Sequence, residues 1–220
     1  MQGENGPATK KRRRQRRKDA RPGEIIDSAM TLWAEKGFAA TRLDDIAADA
    51  GVAKGTIYRY FDSKEDLFEK AVETRLVATM NSIGAQGASF EGTTEDLLRQ
   101  VFDVMLSQMA DQKGYVFIKV LISEGHRFPE LVARYRTIAL ARGMQVIQGI
   151  LARGVARGEL HAQAGSTDPR LVVGPVILAT LWDVVFNMNS AGDRATFIDN
   201  HVALLMRGLR PTSGEAPDAR

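Results

Sequence analysis

Hydrophobic and polar positions follow the period of an α-helix along most of the chain. In residues 43–50, apolar side chains recur at spacings of three and four, Gly51 interrupts the pattern, and a second apolar pattern begins at Val52. Similar but longer patterns follow from Ser63 to about residue 209, separated by turns that contain glycine or proline. Few segments alternate as a strand would. The pattern therefore predicts an all-α fold of about nine helices.

Seven of these helices are predicted outside the segment 41–64. They are expected at residues 23–36, 63–80, 93–109, 115–126, 129–157, 171–188 and 195–209. The helix at 171–188 is apolar on more faces than one neighbour can cover. We therefore expect it to be buried both within its own subunit and against a second copy of the chain.

Residues 41–64, TRLDDIAADAGVAKGTIYRYFDSK, have the pattern of a helix-turn-helix. Small Ala47 allows two helices to cross closely, Gly51 supplies the turn, and Ile57 fills the angle between the helices. Any small helical bundle can use alanine, glycine and isoleucine in this way. The polar residues on the second helix favour a DNA-binding unit, because they offer groove and phosphate contacts.

Capping signals bracket this unit. Thr41 with Asp44, and Ser63 with Asp66, each place a hydroxyl before a helix and a carboxylate three residues later. Such pairs satisfy the free backbone N–H groups at a helix start. The sequence therefore predicts helix starts just after Thr41 and Ser63.

The segment GVAKGTIYRYFDSKEDLF closely resembles the DNA-binding region of TetR-type bacterial transcriptional repressors. The preceding IIDSAMTLWAEKGFAATRLDDIAADA resembles the same domain, so the resemblance covers about residues 25–70. Beyond them it is one of architecture only. The chain departs from the family at Ala53, where Ser or Thr is common, so a helix N-cap of about 1 kcal/mol is missing.

The resemblance implies a sequence-specific regulator whose dimer grips a near-palindromic DNA operator and is released by a small-molecule effector. It places phosphate contacts at Thr41, Arg42, Tyr58, Tyr60 and Lys64. It places Lys54, Gly55, Thr56 and Arg59 in or along the major groove. Arg59 is the residue expected to read guanine. Each basic residue alone also fits a solvated helix face.

The chain divides into four predicted segments. Residues 1–21 form a basic arm expected to be disordered, 22–68 the DNA-binding domain, 69–210 the effector-binding and dimerisation domain, and 211–220 a disordered tail. The net charge of +3 originates in the arm, because the rest of the chain is slightly acidic. The arm could follow DNA phosphates or remain solvated. If the arm alone bound DNA, the protein would be a sequence-indifferent DNA-binding protein, which is the alternative reading.

The resemblance also implies an effector pocket and a dimer interface in the helical domain. The pocket, suited to a partly apolar molecule, is predicted at Phe102, Met105, Met109, Phe117, Leu121, Trp182 and Phe186. Polar anchors are sought among Asp103, Lys119, Glu124 and Asn187. The interface is predicted at Val172, Val176, Ala179, Asp183, Ile198, Val202 and Leu205. Plain internal core remains the alternative for both sets.

Composition excludes several chemistries. With 0 cysteines the chain has no disulfide and no thiol chemistry, and its 3 histidines show no metal-binding spacing, so we expect no metal and no cofactor. No motif of a hydrolase, phosphate loop or zinc enzyme is present, so we expect no enzyme. No secretory signal or membrane-length apolar segment is found, so a cytoplasmic protein is expected. No feature separates a repressor from an activator.

Overall fold

The structure, a computed structural model, describes residues 7–110, 115–186 and 194–211. Within these ranges all regular structure is helical, which confirms the predicted all-α class. The helices are α1 (Pro7–Lys36), α2 (Leu43–Asp49), α3 (Lys54–Tyr60), α4 (residues 64–88), α5 (Thr94–Ala110), α6 (Val116–Glu124), α7 (residues 129–156), α8 (Pro169–Phe186) and α9 (Arg194–Leu209). A 3₁₀ turn, Ala162–Ser166, joins α7 to α8. No described helix is long and apolar enough to cross a membrane.

Helix α1 begins at Pro7, well before the predicted start near residue 23. Part of the segment expected to be disordered therefore has helical backbone. Lysine, arginine and glutamine are good helix formers, and a proline at the first helical position loses no hydrogen bond. The end of α1 is as predicted, because Gly37 follows with a φ of 85°. Residues 1–6 and 212–220 lie outside the described residues.

Helices α4 and α7 each contain one π-helical turn. These turns are Glu73–Val77 in α4 and Arg136–Leu140 in α7, and they contact each other. A π-turn inserts an extra residue into an α-helix and shifts the faces on either side of it. The apolar positions before and after each turn consequently point to different neighbours.

The first hydrophobic core unites the helix-turn-helix with α6 and the start of α7. Trp33, Phe38 and Phe68 form an aromatic cluster, and the ring centroid of Phe117 on α6 lies 5.5 Å from that of Phe68. Leu131 of α7 is fully buried in the same core. The predicted boundary between residues 68 and 69 falls inside α4, and this core extends across it.

The second core lies among α5, the C-terminal half of α7, α8 and α9. Leu98, Phe102, Leu151, Val172 and Val202 are fully buried there. Helix α4 runs beside both cores and joins them mechanically. This arrangement leaves a space between the two cores, which is described below.

Candidate DNA-binding surface and effector cavity

The turn between α2 and α3 has the predicted helix-turn-helix geometry. Gly51 adopts a φ of 63°, which only glycine enters without strain, and the Val52 N–H donates to the Ala47 carbonyl at 2.9 Å. Ile46 and Ile57 are fully buried beneath the turn. The apolar sides of both helices are thus fixed inward, and the polar side of α3 faces outward.

One of the two predicted caps is confirmed and the other is wrong. The Ser63 hydroxyl accepts the Asp66 N–H at 3.0 Å, as predicted. Thr41 is buried and its hydroxyl donates instead to the Gly37 carbonyl at 2.7 Å, so it closes the turn after α1. Arg42 is the N-cap residue of α2, and its N–H donates to Asp45 at 3.0 Å.

The exposed face of α3 is tied to α2 through Asp44. Lys54 lies 2.7 Å from one Asp44 carboxylate oxygen, and the Tyr58 hydroxyl donates to the other at 3.3 Å. The hydrogen bond from Lys54 lowers the pKa of Asp44 below its usual value, which keeps the carboxylate charged. Two residues predicted to contact DNA therefore share an acidic partner within the protein.

Exposed Arg59 and half-buried Tyr60 form a second pair at the end of α3. The Arg59 guanidinium carbon lies 4.9 Å from the centre of the Tyr60 ring, and Nη2 donates to the Tyr60 hydroxyl at 3.3 Å. A cation on an aromatic face keeps its planar donor edge accessible. Gly55 is exposed and Thr56 half-buried at the start of the same helix.

Lys64 has internal partners rather than a freely exposed ammonium group. Its Nζ donates to the carbonyls of Phe38, Ala39 and Thr41 and lies 4.4 Å from the centre of the Phe38 ring. Burial lowers the pKa of this amine. The predicted phosphate role of Lys64 is thus at odds with its contacts, because all three carbonyls belong to the segment that joins α1 to α2.

The start of α3 lacks a side-chain cap, as the sequence indicates. Ala53 is the N-cap residue in extended backbone geometry and makes no side-chain cap hydrogen bond. Its backbone carbonyl accepts a hydrogen bond from the Thr56 N–H at 2.7 Å. The first N–H groups of α3 therefore have no side-chain acceptor at this position.

A chamber of about 140 Å³ lies between the two cores, bordered by α4, α5, α6, α7 and α8. Its lining includes four methionines, Met80, Met105, Met109 and Met144. Its polar lining groups are Thr79, Gln108 and Tyr135, and Gln108 donates to the Thr79 hydroxyl at 2.9 Å. Burial raises the pKa of Tyr135, so its hydroxyl stays neutral. Among the described residues, no charged side chain lines the chamber.

The structure brings two of the seven predicted pocket residues to this chamber. Met105 and Met109 line it, whereas Phe102 and Phe117 are fully enclosed in the second and first core. Leu121 packs against the first core. Trp182 and Phe186 are 52% and 64% exposed on α8. Met80 of α4 and Met144 of α7 also line the chamber, and as methionines on amphipathic helices they were a usable signal in the sequence.

Most of the predicted interface residues point into their own subunit. Val172, Val176, Ile198 and Val202 are buried in the second core, and Ala179, Asp183 and Leu205 are only partly exposed. A different face of α8 and α9 is exposed and apolar. It comprises Leu171, Leu178, Trp182, Val185, Phe186 and Leu204. We call this set the outer apolar face.

The polar anchors predicted for the pocket have other partners. Lys119 on α6 donates to the Ala34 carbonyl of α1 at 2.5 Å, and Glu124 accepts the Ala39 N–H at 3.3 Å. Asp103 pairs with Arg194 at 3.1 Å. Asn187 lies outside the described residues. Helix α6 is thus joined by one polar contact to the end of α1 and by another to the segment between α1 and α2.

An exposed helix-turn-helix joined to a helical domain defines a class, the helix-turn-helix transcriptional regulators. The chain belongs to the TetR family. Residues 25–71 match the family described as bacterial regulatory proteins, tetR family, and residues 91–203 match the tetracyclin repressor-like C-terminal domain.

Named relatives match over less than half of this chain. The biofilm operon icaADBC negative transcriptional regulator IcaR of Staphylococcus epidermidis is 33% identical over 84 residues, which cover 37% of this chain and 45% of the relative. The chain spans less than half the length of the curated relatives that it matches first.

Solved structures share the whole fold. The fatty acid degradation regulator FadR from Bacillus halodurans has a TM-score of 0.73 at 22% identity, with 96% of this chain and 100% of that chain covered. FadR from Bacillus subtilis in complex with stearoyl-CoA has a TM-score of 0.67 at 22% identity, with 84% and 97% covered. At this identity the likeness establishes the fold alone.

Proposed function

We propose that the protein is a sequence-specific DNA-binding transcriptional repressor that a small, partly apolar molecule releases from its operator. The observation that carries the proposal is the exposed polar face of α3 above the buried Ile57. A helix held in this way can enter the major groove of DNA, where base pairs are distinguishable.

The contacts within the free protein suggest how α3 engages DNA. Lys54 and Tyr58 leave Asp44 and bind backbone phosphates, since a phosphate is a stronger partner than an exposed carboxylate. Arg59 stacks on Tyr60 and directs its planar donor edge to a guanine. Arg42, exposed at the start of α2, adds a phosphate contact, and Gly55 permits close backbone approach.

The outer apolar face supports a homodimer. Val185 and Leu204 are 67% and 66% exposed on α8 and α9, which is unusual for apolar residues unless another protein covers them. Pairing α8 and α9 of two copies would form a four-helix interface. The dimer would present two α3 helices about 34 Å apart, one turn of DNA.

The position of the chamber supports release by a ligand. Ile118 of α6 lines the chamber, and the same helix contacts α1 through Lys119 and the segment between α1 and α2 through Glu124. A ligand that separates the two cores would therefore move α6 and, with it, the helix-turn-helix. Thermodynamic linkage requires DNA to weaken ligand binding by the same factor by which the ligand weakens DNA binding.

The relatives support a repressor of this kind. IcaR is named a negative transcriptional regulator, and FadR from Bacillus subtilis is described with stearoyl-CoA. An activator with the same fold differs only in where its operator lies relative to the promoter. Mapping the bound site against the transcription start distinguishes the two.

The test compares binding to the DNA upstream of the protein's own gene with binding to scrambled DNA at two salt concentrations. Both the unmodified protein and a full-length variant are measured, and the variant carries glutamine in place of every Lys and Arg in residues 10–18. We expect a sequence preference that survives these substitutions. Equal binding to both duplexes with a steep salt dependence, lost in the variant, would instead support sequence-indifferent binding by the arm.

A further inference from the structure

A second space adjoins the chamber and differs from it in chemistry. This groove, of about 410 Å³, lies between α4 and α7, and Ile83 and Val146 line both spaces. The chamber alone is about the size of a cavity that holds one benzene molecule. With the groove, the space falls within the ~300–1,000 Å³ that is usual for ligand pockets.

The charged side chains of the groove are both arginines. Arg142 and Arg153 line it together with Gln145, and no described acidic side chain does. Arg153 is committed to the fold, because it donates to the carbonyls of Phe90 and Gly92. Its guanidinium nevertheless contributes positive charge to the groove.

Arg142 is the group suited to bind a ligand. It is half-buried, and its hydrogen-bond partners among the described residues are neutral acceptors, Asn81 Oδ1 at 2.8 Å and Gln145 Oε1 at 3.4 Å. Within the described part of the chain, no carboxylate pairs with it, whereas Arg134 on the same helix pairs with Glu69. An anion would replace neutral acceptors by a charge-assisted bond, which is the stronger interaction.

We infer that chamber and groove together bind an anionic amphiphile, with its hydrocarbon chain among the chamber methionines and its anionic group at Arg142. A wholly apolar ligand would leave the arginine end unused. A small hydrophilic anion would leave the chamber empty. Methionine side chains adapt to flexible chains, and the uncharged chamber disfavours the anionic end. The inference deepens the proposed function, since it names the class of the releasing ligand.

The first experiment measures binding by calorimetry without DNA. Dodecanoate, dodecanol and dodecanoyl-CoA are titrated below their micelle concentrations into the full-length protein and into Arg142→Gln. We expect dodecanoate to bind about tenfold more tightly than dodecanol, and Arg142→Gln to remove that preference while binding dodecanol unchanged. The control Arg136→Gln makes the same charge change at an exposed position of α7 outside both spaces and should keep the preference.

Comparison of dodecanoyl-CoA with dodecanoate shows whether the anionic group at Arg142 is a phosphate or a carboxylate. Tighter binding of the thioester than of the free acid, still dependent on Arg142, assigns the phosphates as the anionic group. Tighter binding of dodecanoate assigns the carboxylate. Equal binding of all three compounds to the unmodified protein, or no binding of any of them, would overturn the inference.

A second variant tests the chain site. Val104→Phe places a ring in the chamber and should abolish binding of dodecanoate and dodecanol alike, with thermal unfolding as the check on folding. Undiminished binding in a folded variant would contradict the chamber as the chain site. DNA binding is measured separately. Specific DNA binding without amphiphile binding defeats this inference alone, and amphiphile binding without DNA release defeats only the proposed regulation.

Discussion

At the scale of single residues, the DNA-binding region contains side chains that also serve the folded protein. Sequence reasoning placed Lys54, Tyr58 and Arg59 on the exposed face of α3, where the structure has them. It did not find the partners of Lys64 or Asp44. The reason is physical, because a basic residue at a helix start suits a phosphate and an internal carbonyl equally well. Only the path of residues 37–42 decides between the two.

Lys64→Gln should lower the free energy of unfolding of the protein. It should not weaken DNA binding through the loss of a phosphate contact. Losing a charged donor to three carbonyls is expected to cost about 1–3 kcal/mol in the free energy of unfolding, measured with urea. The salt dependence of DNA binding should stay unchanged. Lys70→Gln, on the same helix and exposed, is the control. If the slope of log affinity for DNA against log salt concentration fell by about one in Lys64→Gln, Lys64 would contact a phosphate after all.

Asp44→Asn should tighten binding to DNA of any sequence. The substitution removes a negative charge beside the expected phosphates and releases Lys54 and Tyr58 from an acidic partner. Fluorescence anisotropy at low salt measures the gain, which should shrink as salt rises. Asp49→Asn removes an exposed charge elsewhere on α2 and is the control. Weaker binding by Asp44→Asn would mean that this carboxylate positions α3 for DNA.

At the scale of helices, local signals were sufficient for α2, α3 and their turn but not for α8. Gly51 and Ile57 could be assigned because a tight turn and a crossing helix constrain them locally. Helix α8 is apolar around its circumference, so periodicity could not distinguish its inner face from its outer face. Because of that ambiguity, residues were assigned to the wrong face of α8. Trp182 and Phe186, predicted in the pocket, belong to the outer apolar face, and Val172 and Val176, predicted in the interface, belong to the core.

Ala53→Ser should stabilise α3. A serine hydroxyl at this N-cap can accept one of the first N–H groups of the helix, which is worth about 0.5–2 kcal/mol. Urea unfolding should show the gain, and DNA affinity should rise modestly because less ordering remains for binding. Ala48→Ser makes the same change at an exposed position within α2 and should give no gain. Equal effects of the two substitutions would contradict the capping explanation.

At the scale of the whole molecule, two cores share α4 and α7 and enclose the chamber. The sequence predicted the helices and their order, yet it gave no sign of the π-turns Glu73–Val77 and Arg136–Leu140. Those turns change which residues of α4 and α7 face inward, and a helical period of 3.6 applied across them points to the wrong side. The pocket was predicted on α5, α6 and α8 from the resemblance, so the chamber linings from α4 and α7 were missed.

The double variant Val185→Glu with Leu204→Glu should be monomeric. Two carboxylates on the outer apolar face would be buried without partners if the proposed dimer formed, which is strongly unfavourable. Sedimentation velocity should show a single subunit, and operator affinity should fall because only one half-site is held. Ile122→Glu, at a 69% exposed position on α6, is the control. A double variant that stays dimeric would place the interface elsewhere.

The most direct test of sequence-specific DNA binding by α3 is a selection of bound duplexes from random DNA, carried out with the unmodified protein and with Arg59→Ala. We expect enrichment of a near-palindromic site with half-sites one helical turn apart. Arg59→Ala should relax base preference at one position per half-site, by about 1–3 kcal/mol in the difference between matched and mismatched binding energies. No enriched sequence with either protein, or an unchanged motif with Arg59→Ala, would contradict the reading role of this helix.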